Sequence, residues 1–346
     1  MHRQLLLAQL ASQAWAMHPD HLANLSNVLH RWAAGEAASD DAMRQVHAAQ
    51  AARGARKATN SNSGGIAVLN LWGVMSQKAN MVDEVSGGGG TSTQAFMAAF
   101  RDAMADDSVG GILIDCDSPG GSVNGTPELA AEVMKARGVK PVYAFVNGLA
   151  ASACYWVASA CEAICSTQSG SAGSIGVYTQ HVDASEAMKK AGLAQQYISA
   201  GRYKTEGNSN GPLSAEAKAF IQSQIDSYYS SFTADVARGR GVTAAAVRAG
   251  YGQGRCLLAD DALKAGLVDG ICTFDQVVAK LSGRINGGGF QRNGQSATGS
   301  SIASLATLRG QELARIRGLA DEQSAAERRT IDQNRRKREL ELAMLK

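Results

Sequence analysis

Two short segments carry the residue types that acyl chemistry needs. In GLAASA (148–153), Ser152 stands where an apolar, strand-like run gives way to a helix-like one. A hydroxyl at a helix N-terminus lies among N–H groups without intrahelical partners, at the positive end of the helix dipole, so negative charge beside it is stabilised. Its neighbours Ala150, Ala151 and Ala153 are small enough to let a peptide backbone approach. In DSPGG (117–121), directly after a run with the pattern of a buried strand, a glycine N–H can point at an oxyanion. Taken singly, the first segment is an ordinary capping serine and the second an ordinary turn. Serine is also a weak nucleophile until a neighbouring base takes its proton.

Other chemistries lack their residues. The 346-residue chain has no Gly-Lys dipeptide and so no Walker-type phosphate loop, and Gly170, Gly173 and Gly176 do not follow the dinucleotide spacing. There is no H-E-x-x-H and no C-x-x-C. Cys161 and Cys165, four apart, make a poor zinc site by themselves, so neither metal nor cofactor is expected. The six cysteines lie in or beside apolar runs and read as small buried hydrophobes of a reducing compartment. Of six histidines only His181 falls in the α/β region, which limits any serine–histidine pairing to one candidate base.

Charge and hydropathy narrow the setting. The net charge of +3 is uneven: residues 284–346 hold 12 Lys/Arg and 7 Asp/Glu, the rest 22 and 24. The basicity belongs to the tail, and a core that binds specific nucleic acid is not indicated. No apolar run reaches the ~18 residues of a membrane span, so no membrane anchor is expected. At the start, Gln4, Gln9 and Gln13 interrupt the apolar stretch, and Ala8, Leu10, Ala14 and Met17 suit an amphipathic helix better than a signal peptide.

The elements that would position the two segments follow from pattern. Residues 1–58 are Ala-rich and read as helices, with a linker NSNSGG at 60–65. Beyond it, short apolar strands (IAVLNLWGV, 66–74; GILID, 111–115; VYAFVN, 142–147) alternate with helices, among them TSTQAFMAAFRDAMAD with Phe96, Ala99, Phe100 and Ala103 on one face. SGGGG (86–90) reads as a loop and SPGG (118–121) as a tight turn. Such alternation predicts parallel strands with helical crossovers. Ser214 caps a long helix whose Phe220, Ile221, Ile225, Tyr228 and Phe232 form a stripe, read equally as core or as a subunit contact. GLVDGI (266–271) reads as a closing strand. After it, a Gly/Ser/Asn-rich linker leads to a charged helix with a solvated or coiled-coil face.

Together these segments resemble the ClpP/crotonase superfamily, and more sharply its signal peptide peptidase A family of serine–lysine proteases. DSPGGSV (117–123), GLAASACYWVAS (148–159), GSAGSIGV (170–177), AGRYKTEG (200–207) and ALKAGLVDGI (262–271) match that family's landmarks in order, across about residues 64–281. The resemblance implies a repeated β-β-α superhelical core. It implies that Ser152 is the nucleophile, Lys204 the general base, and the backbone N–H groups of Gly121 and Ala153 the oxyanion hole. Ala153-Cys154 departs from the Gly-Gly that relatives often have, which stiffens the corner. A lysine is a useful base near neutral pH only where burial or a neighbouring cation lowers its pKa to roughly 7–8; Arg202, two residues earlier, is the nearest cation in sequence. ClpP itself uses a histidine, so a pairing with His181 stays open. The organisation expected is an N-terminal helical region (1–60), a peptidase domain (61–282), and a linker with a charged, scaffold-like helical tail (283–346).

The N-terminal stretch LASQAWAMHP (10–19) and the tail resemble the head-maturation proteases of tailed phages. That branch implies an endopeptidase in the host cytoplasm, within a viral procapsid or virion, cutting scaffold, portal or coat proteins, with self-cleavage in 282–301. Single-unit relatives form ring-like homo-oligomers whose dyad is shared between protomers, and this chain has one copy of each landmark. A peptide-degrading bacterial relative, an acyl-CoA enzyme on the same fold and a non-catalytic assembly scaffold are the alternatives.

Overall fold

The three apolar runs that read as strands lie side by side in one sheet. The computed structural model describes residues 14–19, 65–78 and 90–287. Its strands are β1 (Trp15–Met17), β2 (Gly65–Trp72), β3 (Met75–Ser76), β4 (Thr91–Ser92), β5 (Val109–Ser118), β6 (Gly120–Ser122), β7 (Val142–Ala151), β8 (Ala163–Ser166), β9 (Ser171–Gly173), β10 (Cys256–Leu258) and β11 (Gly270–Ile271). Helices α1 (Thr93–Ala105), α2 (Thr126–Lys135) and α3 (Ala153–Ser159) connect them in the first half, and α4 (Ser185–Lys190), α5 (Ala215–Arg240), α6 (Ala244–Gly250), α7 (Ala259–Ala265) and α8 (Phe274–Ile285) follow. β2, β5 and β7 pair in parallel, with α1 and α2 in the connections, which is the β-then-α arrangement expected.

The larger sheet runs β10-β9-β7-β5-β2, with β8 beside β7 and β11 beside β8. β7 is divided: Tyr143 to Val146 pair with β8, and Leu149 to Ala151 pair with β9. A second, small sheet has the order β1-β6-β3-β4. Most of the buried apolar side chains lie on the face covered by α1, α2, α3 and the C-terminal half of α5. The other face is closed by α8, whose Val277 and Leu281 pack on Leu113, Tyr143 and Phe145.

Local signals explain the helix ends. Ser92, Ser214 and Thr243 each accept from the backbone N–H three residues on, and Thr273 and Gln276 form a reciprocal capping box at the start of α8. α5 stops at Gly241, which takes φ 68°, a region open to glycine. Among the described residues one ion pair is buried: Arg240 bonds both oxygens of Asp269 at 2.7 and 2.9 Å, and Asp269 also accepts from the Ile164 N–H. All six cysteines are free thiols, five of them buried.

Three expectations are corrected. Residues 15–17 form a strand, not part of a helix, because β6 offers them a partner edge. SPGG is not a simple turn: Ser118 ends β5 and Gly120 begins β6. Ala99 is exposed, and Thr93 joins Phe96, Phe100 and Ala103 on the buried face of α1. The helices expected elsewhere in 1–58, the loop at 86–89, and the linker and tail beyond Gly287 lie outside the described residues.

Candidate active site

Ser152 stands at the corner between β7 and α3, with φ 55° and ψ −116°. Residues with a Cβ avoid this region, so the corner is strained. The capping reading of this serine does not hold: its side chain makes no cap hydrogen bond. The Ser152 N–H donates to Gly173 O at 2.8 Å, and the first helical turn closes from the Trp156 N–H onto Ser152 O at 2.9 Å. The N–H groups of Ala153, Cys154 and Tyr155 therefore precede the helical ladder. The Ser152 hydroxyl faces the Gly176 carbonyl at 3.5 Å, a weak contact that leaves Oγ available. The residue is 1% exposed.

The glycine segment lies directly against this corner. Ser118 Oγ donates to Gly73 O at 2.5 Å and accepts from the Gly120 N–H at 3.1 Å, which fixes where β6 begins. Gly120 has φ 96°, and a Cβ there would run into the Ala16 carbonyl oxygen and stand 2.9 Å from Ser152 Cβ. A Cβ on Gly121 would run into the Met75 carbonyl. Close backbone approach therefore demands both glycines. Three of the four expected site residues, Ser152, Ala153 and Gly121, fall in one place.

Lys204 does not join them within this chain. It lies exposed in the turns of 201–207, its N–H bonded to Gly201 O at 3.1 Å, and among the described residues no hydrogen bond links it to Ser152. Arg202 is engaged elsewhere: it pairs with Glu216 at 3.3 Å and sits over the Tyr203 ring, whose hydroxyl donates to the same carboxylate. His181 Nε2 lies 3.1 Å from Gly211 O, and among the described residues no hydrogen bond links it to Ser152 either.

The stretch between β9 and α5 is unusual in what it exposes. α4 buries none of its residues, yet Leu193, Tyr197, Ile198 and Tyr203 stand in solvent, Ile198 at 98%. Phe220 and Tyr228 of α5 are exposed as well. The apolar stripe of that helix is thus split: Phe232 is core, Phe220 and Tyr228 are surface, and Ile221 and Ile225 are half-buried.

Sequence reasoning missed Gly176 and Tyr178. Gly176 supplies the carbonyl facing Ser152, and it lines a cleft of about 460 Å3 with Ile225, Tyr229 and Arg248. Tyr178 and Ala14 line a second cleft of about 490 Å3 with Asn124, His181 and Lys218. Burial pushes the Tyr178 phenol up to about 12, so it stays neutral. Both residues sit in or beside the GSAGSIGV segment, whose glycines were the available signal. Among the described residues no group of acidic, His and Cys side chains could hold a metal, and no helix is long and apolar enough to cross a membrane.

Residues 135–286 match the model of peptidase family S49, a match consistent with a ClpP/crotonase-like fold. The chain is 32% identical over 222 residues to the head-tail preconnector protein GP5 of Enterobacteria phage P21, covering 64% of this chain and 44% of that one. It is 31% identical over 251 residues to the capsid assembly protease C of Escherichia phage lambda, covering 70% and 56%. It is 29% identical over 222 residues to Protease 4 of Haemophilus influenzae, covering 64% and 35%. The chain spans about half the length of the two phage proteins it resembles.

Proposed function

We propose that this chain is a serine endopeptidase of a viral procapsid, with Ser152 as nucleophile and Lys204 as general base, acting on scaffold, portal or coat proteins. The observation that carries it is the backbone of Ser152: a strained, buried serine whose hydroxyl caps nothing, packed against two glycines that tolerate no side chain. Strain of this kind costs about 1–3 kcal/mol and persists where the surroundings hold it for a purpose. The S49 match supports a peptidase, and the resemblance to phage capsid proteins supports head proteins as its substrates.

In this reading Ser152 Oγ attacks a peptide carbonyl while the Lys204 amine takes its proton. The N–H groups of Gly121 and Ala153 hold the oxyanion. Lys204 returns the proton to the leaving amine, and water then hydrolyses the acyl-serine by the same route. Since Lys204 is exposed and no hydrogen bond links it to its own buried Ser152 among the described residues, the base comes from a neighbouring protomer in a homo-oligomer. The exposed apolar residues that flank it, Leu193, Ile198 and Tyr203, give the Lys204 segment a surface to bury against that neighbour.

Co-expression with the adjacent coat and portal genes, followed by intact-mass analysis, tests this. Wild type shortens one or more head proteins, and Ser152→Ala and Lys204→Ala each abolish the change while remaining folded. Processing that survives in Lys204→Ala and is lost in His181→Ala overturns the dyad.

A further inference from the structure

β1 is held along both edges, as a bound peptide would be. It runs antiparallel to β6, with Trp15 opposite Ser122, Ala16 opposite Gly121 and Met17 opposite Gly120. On its other edge the Trp15 N–H donates to Tyr178 O at 2.8 Å, and the Tyr178 N–H donates to Trp15 O at 3.0 Å. An extended segment added to a free sheet edge is a common mode of peptide recognition. Trp15, Ala16 and Met17 are 2%, 0% and 1% exposed, so the cleft beside the glycine segment is filled by the chain's own residues.

The register decides which bond lies at the serine. The Val123 N–H donates to Ala14 O at 3.1 Å, and the His18 N–H donates to Pro119 O at 2.9 Å. Hydrogen-bonded pairs in an antiparallel ladder recur at every second residue. The pair between them, Ala16 and Gly121, is therefore also hydrogen-bonded, and the Gly121 N–H faces the Ala16 carbonyl. That N–H is the one assigned to the oxyanion. The same carbonyl oxygen meets the point where a Gly120 Cβ would stand, and Ser152 Cβ is 2.9 Å from that point. One carbonyl thus combines the oxyanion donor with proximity to the nucleophile.

We propose that the Ala16–Met17 bond is a self-cleavage site, and that residues 14–18 display the class of peptide the cleft accepts; this rests on Ser152 being the nucleophile. That class is an extended segment with an alanine-sized residue immediately before the scissile bond, as at Ala16. Ala16 is wholly enclosed in a cluster that includes Met75, Ala150 and Ala153, so a larger side chain there has no space. In the reaction Ser152 Oγ bonds to the Ala16 carbonyl carbon and its proton passes to Lys204. The C–N bond to Met17 breaks, and the Met17 amine takes the proton. Water then hydrolyses the ester, releasing residues 1–16 with a new carboxylate. While β1 is seated, no other peptide can use the edges offered by Gly121, Val123 and Tyr178. In an isolated chain it stays seated because Lys204 is not at the site.

The test compares full-length wild type, Ser152→Ala and Ala16→Trp by intact mass and N-terminal sequencing after assembly. Labelling of Ser152 by a fluorophosphonate is followed in parallel. Wild type should acquire an amino terminus at Met17, and both variants should keep residues 1–16. A synthetic peptide of sequence 10–20 should be cut by wild type after its second Trp-flanking alanine, at the bond equivalent to Ala16–Met17. The same peptide with Trp in place of that alanine should be cut at least ~10-fold more slowly. Wild type that labels at Ser152 and cuts other proteins, yet keeps residues 1–16 and leaves the peptide intact, overturns this inference and spares the protease reading. A cut elsewhere in the segment overturns the register. Wild type that neither labels nor cuts anything removes the protease reading and this inference with it.

Discussion

The indole of Trp156 lies flat on the ring of Phe232, with centroids 4.3 Å apart and planes 4° from parallel. The indole N–H donates to Asp235 at 2.9 Å, one turn further along the same helix. α3, the short helix that begins after Ser152, is thereby fixed to the C-terminal half of α5. Phe232→Ala removes a fully buried ring and should cost about 3–5 kcal/mol. Urea denaturation reads that loss, and proteolysis at a temperature where the variant is still folded should fall as the serine corner loosens.

Ser152→Gly and Ser152→Ala should part company in stability. Both lack the hydroxyl and should be inactive. Only glycine relieves the positive φ, which costs an ordinary residue about 1–2 kcal/mol, less the ~0.4–1 kcal/mol that glycine adds to unfolded-state entropy. The glycine variant should therefore melt above the alanine variant. Equal melting temperatures would mean that the corner stores no strain.

Mixing Ser152→Ala with Lys204→Ala should restore activity if the dyad is shared. Each variant alone is inactive, because losing one member of a cooperating pair costs nearly as much as losing both. In a mixed ring some interfaces hold both intact residues. Mixtures that demonstrably exchange subunits and stay inactive would rule the shared site out.

Glu132 joins α2 to α1 through Arg101 at 2.8 Å, and also meets Lys135 at 3.2 Å. The hydrogen bond from Arg101, opposed by partial desolvation, holds its carboxyl at about 2 against an ordinary value of 4.5. A depressed carboxylate pKa stabilises the fold above the ordinary value and stops doing so as pH falls through the depressed one. Wild type should exceed Glu132→Gln in stability by up to ~1 kcal/mol at pH 6, since Arg101 is mostly exposed. The gap should close between pH 4.5 and about 2, as read by denaturant titrations at each pH.

Asp269→Ala should be far more damaging. It leaves the Arg240 guanidinium buried without its carboxylate and removes the acceptor of the Ile164 N–H, a change of about 3–5 kcal/mol. Thermal melting of the purified variant measures it.

The central strands were readable because their apolar runs are buried on both faces, as Ile112, Leu113 and Ile114 are. The position of Ser152 between a strand and a helix was readable from the runs on either side, but it stood out only through five landmark segments in order, since alone it reads as an ordinary cap. β1 was not. The run from Ala8 to Met17 favours a helix locally, and the strand at Trp15 exists only because Gly121 and Tyr178, more than 100 residues away in sequence, offer it two edges. Arg202 misled for a related reason: proximity in sequence put it beside Lys204, while Glu216 and Tyr203 draw its charge away. The stripe on α5 was ambiguous because one helix serves as core at Phe232 and as surface at Phe220.

Losing β1 would leave β6 and the segment at Tyr178 with bare margins. Backbone groups of Gly121, Val123 and Tyr178 that now meet Ala14, Ala16 and Trp15 would face water in a row, and such a row is a template for any stray extended chain. The five residues at 14–18 therefore also act as a solubility device. A folded chain shorn of them, with no assembled ring or cargo peptide to take their place, should become adhesive on standing, pairing with its own copies edge to edge and clouding concentrated solutions.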